Sequence, residues 1–268
     1  MWAWYLLLVP IFGVIYRAWS KRRRRMQLLV SKLSAQDWAT VIDWVPLVAK
    51  LPPELQGRLQ GKMNLFLSQV RIYGKNGVVV DREVELSLSA QACLLIVNSD
   101  VWYNTLHTVL LYPGAFHSKQ QRQDGYLVTE TKEVRLGESW RHGPVVLSWP
   151  HAEQGGVNDE DGHNLILHEF AHQLDALSGD TNGVPILAKG QSHQDWEAAI
   201  MRGYEAHVAN VGRNRKTVLD SYAATNYVEF LAVSIEVFFE KPEKFHEEYP
   251  EVYKQISILL NLDPLAWG

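Results

Sequence analysis

The sequence predicts an α+β fold in which two helical regions bracket a short run of strands. Three observations lead there. Apolar residues recur at helical spacing from Leu28 to Val97, and again from Asn164 to the C-terminus. Between these regions, from Thr108 to Trp149, β-branched and aromatic runs are broken by Pro113-Gly114 and Gly143-Pro144. Finally, the stretch Asn164-Leu165-Ile166-Leu167-His168-Glu169-Phe170-Ala171-His172-Gln173-Leu174-Asp175 sets two imidazoles into a largely apolar helix.

The first element is an apolar run, Met1 to Tyr16, without a charged side chain, followed by Arg17 and the cluster Lys21-Arg22-Arg23-Arg24-Arg25. A signal peptide has its positive charge before the apolar run and a small-residue cleavage site after it; here that order is reversed. Residues 1–19 therefore predict a short transmembrane anchor. The basic residues would stay on the cytoplasmic side, the N-terminus outside, and the main domain inside at the cytoplasmic membrane. A span wants about 20 apolar residues, so an interfacial helix is one alternative and a soluble cytoplasmic protein another. Residues 20–27 form a basic juxtamembrane segment, and anionic lipid is the expected partner of Arg22 to Arg25.

Residues 28–268 form the folded domain. Ser34 starts a helix that Pro46 bends or ends. Pro52-Pro53 opens the next, with Leu55, Leu59, Met63, Phe66 and Val70 on one face. Glu83 to Val97 reads as a third, and together these make a helical N-terminal scaffold. Thr108 to Tyr112 reads as a strand, as does Gly143 to Trp149, and the segments 125–131 and 132–136 pair as short ribbons. His151 to Gly162 reads as a polar loop. After the motif helix come an amphipathic helix from Asp195 to Val208, an apolar helix to about Phe239 that Lys241-Pro242 stops, and two short helices near 242–249 and 252–260.

Composition narrows the function classes. Of 268 residues, 26 are basic and 30 acidic, a net charge of -4 that gives no reason to expect direct nucleic-acid binding. Cys93 is the only cysteine. It excludes an internal disulfide, does not support an oxidising compartment, and sits in an apolar run as a buried small hydrophobe. No Cys-x-x-Cys unit exists, so a metal site must be built from histidine and carboxylate.

His168 and His172 lie four apart, one above the other on a helix, and can share one ion. Glu169 lies about 100° round the helix, beside that ion, where it can take a proton from water. This is the His-Glu-x-x-His signature of zinc-dependent hydrolysis. A catalytic zinc takes three protein ligands and keeps one open position. The third comes from downstream, among Asp175, Asp220, Glu229, Glu236 and Glu240. Asp175 is placed to orient a ligand histidine, and Asp220 to cap or brace a helix. Glu229 and Glu236 are seven apart in an apolar helix and share a face. Burial is costly for either unless it is paired; the pattern leaves both open, with a small edge to Glu229.

A resemblance adds to this. The stretches Gly143 to Trp149, Asn164 to Asp175, Gly179-Asp180, Gly183-Val184-Pro185, Asp220-Ser221-Tyr222-Ala223-Ala224 and Glu229 to Val233 resemble the Mlc titration factor A family of metallopeptidases, from about Leu28 onward. The resemblance implies a zincin-like fold and one Zn2+ per chain, held by His168, His172 and Glu229. It implies Glu169 as general base and Tyr222 as an active-site tyrosine. It further implies aminopeptidase-like cleavage of a peptide or protein substrate, and binding of a transcriptional repressor resembling Mlc. A regulatory binding protein with little or no turnover is the alternative reading. Two departures stand out: the apolar N-terminal run, and Thr129 near the place where family members carry a histidine. The Gly143–Trp149 strand is expected to offer an open edge to an extended peptide.

Overall fold

The structure is a computed structural model. It describes residues 3–124, 127–139 and 143–267, with side chains described for 13–115, 136–139 and 143–267. In chain order the N-terminal part holds α1 (Ala3–Val30), α2 (Ala35–Trp44), a 3-10 turn (Pro46–Lys50), α3 (Pro53–Gln69), β1 (Arg71–Gly74) and α4 (Arg82–Leu94). The middle holds β2 (Thr108–Tyr112), β3 (Phe116–Asp124), β4 (Leu127–Arg135), β5 (Gly137–Ser139), β6 (Val145–Ser148) and α5 (Trp149–Val157). The C-terminal part holds α6 (Leu165–Ala176), α7 (His193–Gly212), a 3-10 turn (Ser221–Ala224), α8 (Tyr227–Glu240), α9 (Pro242–Glu248) and α10 (Pro250–Leu260). It is a mixed α+β architecture, mostly helical around a small sheet, and the predicted scaffold of helices is present in the first third.

The sheet runs β1-β2-β6-β5. β1, β2 and β6 are parallel, and β5 returns antiparallel along β6 with Gly137 opposite Leu147. Parallel neighbours need both faces covered, and the four residues of β6 are all buried. This corrects the expected open edge: β6 is an inner strand, and the short β5 lies outside it. β1 was not foreseen, because four residues ending in Gly74 give too little alternation to read. β3 and β4 form a separate antiparallel ribbon. Phe116 pairs with Arg135 and Asp124 with Leu127, instead of the predicted pairing of 125–131 with 132–136. Thr129 lies on this ribbon, outside the described side chains. The predicted loop 151–162 is helical to Val157, because Pro150 at the first turn is compatible with a helix start and Gly155 and Gly156 permit close packing. A Cβ at Gly155 would stand 2.9 Å from Asn164 Cα.

α1 is one continuous helix whose last turns are fastened to α3. Gly61 admits the Leu29 backbone, Gln60 Oε1 accepts from Leu33 N at 3.1 Å, and Asn64 Nδ2 donates to Ser31 Oγ at 2.8 Å. Residues 13–24 are exposed. Among the described residues, no helix is long and apolar enough to cross a membrane. The uncharged part of α1, Ala3 to Tyr16, rises about 21 Å as a helix, against a hydrocarbon core of about 30 Å, and Arg17 follows. The side chains of residues 1–12 lie outside those described.

The core joins the two ends of the chain. Phe170 of α6 packs edge-on against Tyr103 at 5.2 Å and tilts on Phe66 of α3 at 5.9 Å. All three rings are fully buried, as is Cys93. Burial raises the Cys93 thiol pKa, so it stays an inert hydrophobe.

Candidate metal centre

Two capped helices position the site. Asn164 Oδ1 caps α6 by accepting from Leu167 N at 3.0 Å, and its Nδ2 donates to Gly155 O at 2.8 Å. Asn226 Oδ1 caps α8, accepting from both Val228 N and Glu229 N at 2.9 and 3.0 Å. This places Glu229 in the first turn of α8, where the helix dipole favours a carboxylate. α6 and α8 pack face to face, so the first turn of α8 meets the motif histidines.

His168 Nε2 and His172 Nε2 stand 3.2 Å apart, and Glu229 Oε2 lies 3.0 Å from the first and 3.4 Å from the second. A tetrahedral ion with ligand distances of about 2.0–2.1 Å has ligand–ligand edges of about 3.3 Å, so the three donors fit one divalent cation. Among the described residues this is the one group of three or more such side chains with metal-holding geometry. Charge agrees with geometry. Burial alone would raise the Glu229 carboxyl, but the two imidazoles outweigh it and hold the pKa far below the usual carboxylate range. Burial alone would lower His168, but Glu229 and Glu236 outweigh it and raise its pKa well above the usual histidine range. The pocket is built to attract positive charge.

Glu236 has a distinct part. Its Oε1 accepts from His168 Nδ1 at 2.8 Å, and its Oε2 accepts from Asn164 N at 2.6 Å. The first bond fixes the Nδ1–H tautomer of the neutral ring and turns the Nε2 lone pair toward Glu229 and His172. Glu236 is thus the orienting carboxylate. Asp175 Oδ2 accepts from Gly183 N at 2.7 Å and braces the loop after α6; burial pushes its pKa up to about 6, against the opposing charge of His172. Glu240 Oε2 likewise accepts a loop amide, Gly162 N, at 2.9 Å. Asp220 caps the 3-10 turn, accepting from Tyr222 N at 2.8 Å.

Glu169 is buried beside these ligands on α6, and its charge acts on His168. Gly137 of β5 lies directly against it: a Cβ there would fall 2.1 Å from Glu169 Oε1. Gln173 Nε2 donates to Ser139 Oγ at 2.5 Å and fixes β5 along α6. No sequence pattern marked Gly137; a lone glycine in a ribbon has many reasons to be there. Tyr222 is half exposed, with its ring centroid 6.0 Å from that of His168. Arg22 to Arg25 are on α1, apart from this cluster, with Arg25 over the Trp102 ring at 5.0 Å.

Known proteins resemble the chain over most of its length. An uncharacterized Synechocystis protein is 37% identical over 267 residues, covering 97% of each chain. Mlc titration factor A of Escherichia fergusonii is 33% identical over 227 residues, covering 82% of this chain and 84% of that protein. Its counterpart in Escherichia coli is 31% identical over 238 residues, covering 87% and 88%. The family model for the glucose-regulated metallo-peptidase M90 matches residues 17–259. Nearly the whole chain lies within that match, and the chain belongs to the glucose-regulated metallo-peptidase M90 family.

Proposed function

We propose that the chain hydrolyses peptide bonds with one zinc ion held by His168, His172 and Glu229. The carrying observation is the convergence of three donor atoms at 3.0–3.4 Å with Glu169 next to a ligand in sequence. Two imidazoles and a carboxylate suit zinc among the first-row metals. Bound there, the ion supplies Lewis acidity, which acidifies water and polarises a carbonyl. Glu169 accepts the water's proton and returns it to the departing amine. Tyr222, on the rim beside His168, offers a hydroxyl to the carbonyl oxygen as negative charge develops on it. Short peptides cleaved from the amino terminus are the expected substrates.

The name of the enterobacterial relatives, Mlc titration factor A, gives a second reading a support that aminopeptidase specificity lacks. In that reading the fold sequesters a transcriptional repressor resembling Mlc, with little or no turnover. The two separate on one variant. A peptide library is digested by the wild type, by wild type with a chelator, and by Glu169→Gln. The hydrolase reading expects cleavage that the chelator abolishes and that Glu169→Gln lowers by roughly 10²-fold or more, with metal still bound. No cleavage of any peptide by the wild type, and repressor binding unchanged in Glu169→Gln, establishes the regulatory reading.

A lipid contact belongs to the same proposal. Seven basic residues precede Asp37, the first acidic one, and Lys21 to Arg24 are exposed on α1. Anionic headgroups complement that collar, and the uncharged run before it suits shallow insertion.

A further inference from the structure

The four-residue turn that carries Tyr222 is fastened to α7 at both ends. At its start, His207 Nε2 donates to Asp220 O at 3.1 Å, while the Asp220 carboxylate caps Tyr222 N. At its end, Tyr204 Oη donates to Ala224 O at 3.1 Å. Within the turn only Ala223 is buried. A short turn with so little apolar hold depends on its hydrogen bonds for its place.

His207 is fully buried, and its ring is fixed from behind. The Tyr249 hydroxyl lies 3.2 Å from Nδ1 and the Thr217 hydroxyl 3.1 Å from it. With Nδ1 accepting, the ring's one proton sits on Nε2 and points at the Asp220 carbonyl. The ring also rests on Phe230 at 6.2 Å, the residue after Glu229. One imidazole therefore ties α7, the head of α10 through Tyr249, the first turn of α8 and the Tyr222 turn into a single unit.

We propose that His207 is a positioning residue: it pins the Asp220 carbonyl, and through it holds Tyr222 at the rim of the metal centre. No motif marks it, and it touches none of the three metal-binding side chains in the hydrogen bonds it makes. The inference rests on the reading of Tyr222 as the hydroxyl donor. A burial role alone would require only a side chain of the right shape. A pin requires a donor at the Nε2 position, and the amide of Gln can reach that position whereas Leu offers none.

The test uses the full chain loaded with zinc, with His207→Leu, His207→Gln and each combined with Tyr222→Phe. Amide exchange is followed by mass spectrometry, and peptide turnover in parallel. The expected result for His207→Leu is about tenfold faster exchange confined to residues 220–225, with one metal ion still bound per chain. His207→Gln restores protection. His207→Leu lowers turnover about tenfold alone but less than about twofold in the Tyr222→Phe background, since coupled residues are non-additive. Unchanged exchange at 220–225, or equal losses in both backgrounds, overturns the proposal. If His207→Leu does not fold, His207→Gln against His207→Asn decides by the same two readouts. A wild type without turnover defeats the peptidase reading and leaves exchange to decide the pin.

Discussion

Glu236 sits one step away from the ion's place, yet it decides which nitrogen of His168 faces that place. Removing it frees the ring to take the other tautomer. Glu236→Ala is expected to weaken zinc binding about 10–100-fold in a chelator competition, with the three ligands intact. Glu240 works in the opposite sense. Burial pushes its carboxyl up to about 8, and its Oε1 has no hydrogen-bond partner. Its folded pKa lies above its ordinary 4.5, so between these values the folded chain holds more protons than the unfolded one. Stability contributed by the neutral form is full below about pH 4.5 and is lost as pH rises toward 8. Glu240→Gln is expected to flatten that decline. Thermal melts from pH 5 to 9 should show the variant gaining on the wild type as pH rises, by a few kcal/mol in total.

At the scale of elements, the site depends on where two helices begin. Asn226→Ala removes the acceptor for Val228 N and Glu229 N, and should cost about 1 kcal/mol in urea unfolding. It should also loosen Glu229, so zinc affinity falls with it, whereas capping losses elsewhere, such as Ser34→Ala on α2, leave zinc affinity alone. Much of this was legible in the sequence. The His168/His172 spacing fixed a helix face, and the seven-residue spacing of Glu229 and Glu236 put both carboxylates on one side of α8. What the spacing left undivided was the labour between those two acids. That depends on how far α8 slides along α6, a tertiary quantity that periodicity does not carry. The same limit hid α5, because Gly155 and Gly156 look like a loop until their tight approach to Asn164 and Gln91 is seen. β5 escaped for a similar reason: three residues make no pattern, and Gly137 acquires meaning only from the carboxylate against it.

For the whole molecule, charge is unevenly divided. Seven of the 26 basic residues lie before Asp37, and all 30 acidic residues lie from there onward. The arm and the body therefore carry opposite signs, and the last turns of α1 are clasped to α3. Flotation with phosphatidylcholine vesicles containing anionic phosphatidylglycerol should show binding that weakens with salt. Substituting Lys21, Arg22, Arg23 and Arg24 by Gln should weaken it on the order of 10³-fold, at about 1 kcal/mol per basic residue. Equal binding to vesicles of phosphatidylcholine alone, or binding only to a DNA duplex, would remove lipid from the picture.

The two halves of the metal centre also differ in when they exist. His168 precedes Glu229 by 61 positions, and a ribosome adding about 5–20 residues per second needs several seconds to cross that gap. During that interval the nascent polypeptide offers a pair of imidazoles without their carboxylate. Loading with metal is thus a late event in biosynthesis, and a chain cut short before Tyr227 would be made but never armed.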